Sequence, residues 1–170
     1  MIGLDPLVPT AEGWSVPEAE LRALYAQMRA EGTYKRTWRV GPDTVEGWLA
    51  YLRTPTNHVT VVRLDGRPVA VAWLNGLCPH AGFVHHWFSR AVWGPLAMRI
   101  ARALLDFWFS IEGPQGPLLR VLIGQTPADN RPALAFAART GFELLGAIPY
   151  VDGPGTVISF LTRERHYGRD

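Results

Sequence analysis

The stretch from Phe83 to Ile111 constrains this chain most. Phe83-Val84-His85-His86-Trp87-Phe88 is an apolar run with strand character. Ser89-Arg90-Ala91-Val92-Trp93-Gly94 follows as a short loop, and Pro95 opens a helix. Proline is favoured at a first helical position, because its missing N–H would have no partner there. Leu96, Ile100, Ala103, Leu104, Phe107 and Ile111 recur at three- and four-residue spacing as one apolar stripe. Arg99, Arg102 and Asp106 fall on the other side, and Arg102 and Asp106, four apart, are spaced to pair. A strand, loop and helix in this order turn backbone N–H groups and the positive helix end toward one point. Such a point suits an anion, most naturally a phosphate.

A second unit of the same kind follows from Leu118 to Phe142. Leu118-Leu119-Arg120-Val121-Leu122-Ile123 reads as a strand covered on both faces. Asp129 or Asn130 can cap the next helix, with Pro132 in its first turn and Gly141 at its end. Upstream, Met1 to Ser15 reads as an irregular lead-in or short strand. Leu21, Leu24, Tyr25 and Met28 form a helical stripe ended by Gly32. Asp43-Thr44-Val45-Glu46 has the spacing of a helix cap with an acid three residues on, and Trp48, Leu49, Tyr51 and Leu52 sit in that helix. His58 to Leu64 and Arg67 to Leu77 are strands joined at Asp65-Gly66, and Cys78 to Gly82 turns into the central strand. Phe142 to Pro149 and Gly155 to Thr162 form the last hairpin. The order predicts a single α/β domain over residues 1–170.

Composition narrows the classes of function. Apolar content of 48% and charged content of 19% fit a globular chain rather than a disordered one. The net charge is only +2, Lys35 is the only lysine, and the arginines are scattered, so no nucleic-acid partner is expected. Cys78 stands alone, which excludes an intramolecular disulfide and a cysteine metal cluster. No run of about twenty apolar residues could span a membrane, and no leader sequence stands out. The expectation is a cytoplasmic protein with no membrane association, and a homodimer is one assembly open to it.

The order of elements, and Asn130-Arg131-Pro132-Ala133-Leu134-Ala135-Phe136-Ala137-Ala138-Arg139-Thr140-Gly141-Phe142 above all, resemble the GCN5-related N-acetyltransferase superfamily. That run is similar to the family's Asn-x-x-Ala helix ending in Gly-Phe, and the resemblance covers roughly residues 59–161. It implies a mixed central sheet splayed at its middle, with helices on both faces. It also implies an acyl-CoA-dependent N-acyltransferase, acetyl-CoA as donor, and a small-molecule or peptide amine as acceptor. On this resemblance the pyrophosphate lies at Arg90, Ala91, Val92, Trp93 and Gly94. The pantetheine lies on the backbone of Trp87 and Phe88, and Asn130 touches the cofactor arm. Three positions, two in the loop and one in the helix, depart from the family pattern. Trp93 and Pro95 stand where the loop usually has glycine or a small residue, and Ala137 stands where many relatives carry a proton-donating tyrosine. Water or Tyr150 would then protonate the departing thiolate. These departures leave open a second reading, a non-catalytic binding or assembly module that kept the fold and lost the cofactor.

Acyl transfer to an amine needs a proton acceptor near neutrality, and histidine meets that without tuning. His80, His85 and His86 cluster at the central strand. Side chains alternate along a strand, so His85 and His86 face opposite ways and one of the two is the candidate base. Two diverging neighbours with no third ligand do not make a metal site.

Overall fold

A computed structural model describes residues 1–37, 41–150 and 153–168; the side chains of Tyr150 and Pro154 lie outside that description. Among the described residues, six helices and eleven strands run in chain order: β1 (Ile2–Pro6), β2 (Pro9–Thr10), β3 (Gly13–Trp14), α1 (Glu18–Ala30), α2 (Tyr34–Thr37), α3 (Val45–Leu52), β4 (His58–Leu64), β5 (Arg67–Cys78) and β6 (His80–Phe88). A 3-10 turn at Arg90–Val92 leads to α4 (Pro95–Phe109), β7 (Glu112–Gly113), β8 (Gly116–Pro117), β9 (Leu119–Pro127), α5 (Arg131–Thr140), β10 (Glu143–Tyr150), β11 (Gly153–Thr162) and α6 (Arg163–Tyr167). Seven strands form one mixed sheet in the order β1–β4–β5–β6–β9–β11–β10. The expected mixed α/β class is what is found. The chain divides into two compact units, residues 1–75 with 85–97 and residues 76–84 with 98–170.

In the first unit, β1 pairs antiparallel with β4, from Ile2↔Leu64 to Pro6↔Thr60, so the expected lead-in is a complete edge strand. Proline is tolerated at Pro6 because the strand is an edge and ends there. β4 and β5 pair through the Asp65-Gly66 turn as expected, with a register shift between Val62 and Arg63. The α1 stripe buries Leu21, Leu24 and Met28 against Trp48, Leu49 and Leu52 of α3 and Val59, Val61, Val71, Trp73 and Trp87 of the sheet. Each such aliphatic side chain, fully buried, contributes roughly 1.5–3 kcal/mol. The cap of α3 is Thr44, whose Oγ1 accepts from Gly47 N at 3.1 Å, one residue later than the Asp43 spacing suggests. Arg22 and Arg53 both meet Glu18, and Arg22 also meets Glu46, which ties α1 to α3 at the surface. Exposed pairs of this kind contribute at most about 1 kcal/mol each.

In the second unit, β6 runs parallel to β9 from His80↔Leu119 to Val84↔Gly124, and the described pairing stops there. The strand starts at His80 rather than Phe83. His80 itself takes the left-handed conformation, φ 64°, so the turn closes within Cys78–His80. β9 pairs on its other side with β11, and β11 with β10. On α4 the fully buried positions are Ala97, Ile100, Ala101, Leu104, Leu105, Trp108 and Phe109, while Ala103 and Phe107 are only half-buried. The buried stripe is therefore rotated from the one expected, because Trp108 and Leu105 carry more apolar area than Ala103. α5 is capped as its sequence predicts. Asn130 Oδ1 accepts from Ala133 N at 3.4 Å, Pro132 is in the first turn, and Gly141 closes the helix at φ 107°, a conformation an L side chain rarely adopts. No helix among the described residues is long and apolar enough to cross a membrane.

Candidate active site

β6 carries the candidate base on its second half. Alternation puts His85 and Trp87 on one side and His86 and Phe88 on the other. Trp87 is buried in the first unit's core, and its indole N–H donates to Thr33 Oγ1 at 2.8 Å. His85 lies flat on Trp73, with ring centroids 5.0 Å apart at 14°, and its Nε2 meets Asn75 Oδ1 at 3.1 Å. Asn75 donates from its amide nitrogen to the Tyr51 hydroxyl at 3.3 Å, and Trp73 Nε1 donates to the same oxygen at 3.0 Å. A carbonyl oxygen only accepts, so His85 Nε2 must carry the proton. The lone pair of His85 is then on Nδ1. Asn75, Tyr51 and Trp73 together fix both the plane and the tautomer of the ring.

His86 stacks on Phe88 at 5.0 Å and 30°. Both histidines are half-buried by exposed area yet densely surrounded, and the surroundings penalise charge. Burial pushes His85 down to about 4, and burial with the neighbouring His85 does the same to His86. Both rings are neutral at pH 7. His80 is apart from this group, an exposed turn residue whose Nδ1 lies 3.2 Å from the Pro117 carbonyl.

The loop after β6 is closed by a carboxylate. Glu31, at the C-terminal cap of α1, accepts from Arg90 N at 3.0 Å through Oε2, and from the Ser89 hydroxyl at 2.9 Å through Oε1. Gln27 Nε2 donates to Glu31 Oε1 at 2.9 Å and to Ser89 Oγ at 2.7 Å. Ala91 N donates to Ser89 Oγ, Val92 N to the Ser89 carbonyl and Trp93 N to the Arg90 carbonyl. The sequence predicts free amides from Ala91 to Gly94. Of these, only Gly94 N takes no acceptor among the described residues, because the loop winds into a 3-10 turn that consumes the others. Trp93 is 52% exposed, folds its indole N–H onto the Phe88 carbonyl at 3.0 Å, and lies 5.6 Å beneath the Arg90 guanidinium. The donors left for an anion are Gly94 N, the first-turn amides of α4 and the Arg90 side chain. No group of three metal-ligating side chains occurs among the described residues.

Comparison of the sequence with family models and with curated proteins finds no match. Solved structures do match. An aminoglycoside acetyltransferase, AAC(6')-Ib, in complex with coenzyme A and kanamycin superposes with a TM-score of 0.74 at 16% identity, over 99% of each chain. The fold is that of the GCN5-related N-acetyltransferases. The spermidine/spermine N-acetyltransferase SpeG from Vibrio cholerae gives a TM-score of 0.69 at 11% identity, over 100% of this chain and 99% of that one. Mycobacterium smegmatis RimJ, in complex with CoA-disulfide, gives 0.69 at 20% identity over 96% and 82%.

Within this acetyltransferase fold, Ala137 offers no proton to a leaving thiolate; its carbonyl accepts from Thr140 Oγ1 and Phe142 N. The alternative donor, the Tyr150 side chain, lies outside the described residues. Asn130 belongs to the second unit and acts there as a helix cap. Sequence reasoning missed Asn75, Tyr51, Gln27 and Glu31. An acid at a helix C-terminus opposes the macrodipole and needs donors to hold it, which was the one local sign of Glu31.

Proposed function

We propose that this protein is an acyl-CoA-dependent N-acyltransferase that moves an acetyl group from acetyl-CoA to an amine by direct attack. The observation that carries the reading is the likeness over 99% of both chains to an acetyltransferase holding coenzyme A, with the described β6–β9 pairing ending at Val84. Backbone beyond that point, at Trp87 and Phe88, is where the pantetheine would run. The pyrophosphate would take Gly94 N, the first turn of α4 and Arg90, with Ala91, Val92 and Trp93 shaping the loop. Asn130 would contact the cofactor arm while capping α5.

The amine attacks the thioester carbonyl, and the C–S bond breaks as the tetrahedral intermediate collapses. We assign the proton acceptor to His85 Nδ1, because Asn75 and Tyr51 fix its tautomer; His86 is the packing partner. An imidazole near 4 cannot take a proton from a free ammonium near 10, a gap of about 6 units or roughly 8 kcal/mol. His85 therefore acts after attack, on the far more acidic nitrogen of the intermediate, and the amine must arrive neutral. The thiolate leaves to solvent water, since Ala137 supplies no acid. The acceptor is a small-molecule or peptide amine. Named neighbours carry kanamycin in the crystal, or spermidine and spermine in the enzyme name, which favours a small polyamine-like molecule. A cytoplasmic setting fits such substrates.

The second reading, a module that keeps the fold without the donor, is favoured by Glu31. A carboxylate already occupies the Arg90 amide that a phosphate would seek. Gly94→Val separates the two readings. Gly94 sits at φ 88°, with nothing within 4 Å of an added Cβ, so the substitution strains the backbone without a clash. Calorimetry with acetyl-CoA should show binding weakened at least tenfold, the loss of about 1.4 kcal/mol or more from one backbone contact. Unchanged affinity removes the loop from the donor site.

A further inference from the structure

The second unit carries a cationic groove that the acyl-transfer site does not use. A cavity of about 310 Å³ is lined by Arg99 and Arg102 of α4, Arg139 of α5 and His166 of α6, over Met98 and Leu105. Arg99 and Arg102 are three residues apart and share one face of α4. Arg139 comes from the last turn of α5, so arginines of two helices line one space.

None of the three has an ion-pair partner among the described residues, and no carboxylate lines the groove. The same holds of Arg120 and Arg131 in this unit, so it is the shared cavity that sets the three apart. Arg163 pairs with Glu112 and Arg165 with Glu143. The acid that the sequence offers to Arg102 is Asp106, one turn on, but Asp106 instead accepts from His166 Nε2 at 2.7 Å. His166 is buried and lines the cavity, so Asp106 lies beside the groove but is engaged by the imidazole rather than by Arg102. Three arginines at one cavity, with one carboxylate beside it that is already hydrogen-bonded, form a site of positive potential. Guanidinium forks match phosphate oxygens in geometry as well as charge. Met98 and Leu105 add an apolar floor for the organic part of a ligand.

We propose that this groove binds a phosphate-bearing small molecule through Arg99, Arg102 and Arg139. The ligand is a phosphorylated metabolite other than the acyl donor, since the groove shares no residue with the loop at Arg90 to Gly94. The proposal does not depend on the acyltransferase reading, because the first probe is inorganic tripolyphosphate in the absence of any thioester.

Calorimetry on the full chain should show saturable tripolyphosphate binding that weakens as salt rises. Arg102→Gln and Arg139→Gln should each weaken it roughly tenfold, and the pair more, as expected for losing charge-assisted hydrogen bonds. All three arginines are exposed, so the variants should melt as the parent does. Arg120→Gln, at an exposed arginine of β9 outside the groove, should leave affinity unchanged. A second arm compares coenzyme A with its 3′-dephospho form. Groove variants that weaken coenzyme A but not its 3′-dephospho form would put the donor's phosphate in the groove and overturn the proposal. Variants that weaken tripolyphosphate and neither coenzyme assign the groove to a separate ligand. No saturable binding at millimolar tripolyphosphate, or an equal loss from Arg120→Gln, overturns the proposal. Loss of acetyl-CoA binding by Gly94→Val, with tripolyphosphate binding intact, would show that the two sites are distinct.

Discussion

His85→Ala should lower kcat by about 100- to 1000-fold, within the range for removing a positioned proton acceptor, and leave the affinity for acetyl-CoA near that of the parent. The site predicts an unusual pH dependence to go with it. Folding lowers His85 to about 4, below the usual 6.5, so the ring is proton-free and competent at every pH well above 4. Activity through His85 is lost only as pH falls through about 4. Above that, kcat/KM should climb with the neutral fraction of the amine toward the amine's own pKa, with no inflection near 6.5. An inflection near 6.5 that disappears in His85→Ala would mean that the ring is solvated and charged during turnover, against the packing on Trp73. Asn75→Leu provides the companion test, because it removes the group that fixes the tautomer. It should lower kcat with little change in KM, whereas a residue that only supported folding would lower stability alone. His86→Ala, which removes a stacked packing partner, should leave turnover close to that of the parent.

Trp73→Ala should cost roughly 3–5 kcal/mol of stability, the range for deleting a large buried aromatic side chain. Trp73 is 2% exposed, in a core shared with α1 and α3, and it also floors His85 and donates to Tyr51. For a chain of this length each kcal/mol moves the melting temperature by roughly 2–4 °C, so a fall of about 6–20 °C is expected in thermal unfolding. Trp73→Phe keeps the stacking and loses the hydrogen bond to Tyr51, so it should fall between the parent and Trp73→Ala. A loss under about 1 kcal/mol for Trp73→Ala would contradict the account of this core.

Local chemistry made much of this fold legible. The α1 stripe, the Asp65-Gly66 turn and the α5 caps at Asn130, Pro132 and Gly141 each depend on residues a few positions apart, and each is found. The strand, loop and helix around β6 were readable for the same reason. Pro6 left β1 as one of two readings, lead-in or short strand, because a proline is acceptable there only once the strand is known to be an edge. His80 hid the start of β6, since a left-handed histidine closing a tight turn has no sequence mark. The contacts that define the site are non-local. Glu31 meets Ser89 and Arg90 across 58 and 59 positions, Asp106 meets His166 across 60, and neither pairing leaves a periodicity to read. The free-amide nest expected at Ala91 to Gly94 shrank to Gly94 because the 3-10 turn takes up the other three amides. The second of these pairings engages Asp106, the acid four positions from Arg102, with His166 instead.

The central claim is that the β6 loop still holds an acyl-CoA despite Trp93, Pro95 and Glu31. Thermal unfolding of the full chain with and without acetyl-CoA, with ATP as a phosphate-bearing control, tests it most directly. Ligand at about 100 times its dissociation constant adds roughly 2.7 kcal/mol to folding. That corresponds to a rise on the order of 5–10 °C at this size. A rise of that order with acetyl-CoA, and little with ATP, is the result the account predicts. No rise at millimolar acetyl-CoA would contradict it and leave the protein as a fold whose loop Glu31 has closed.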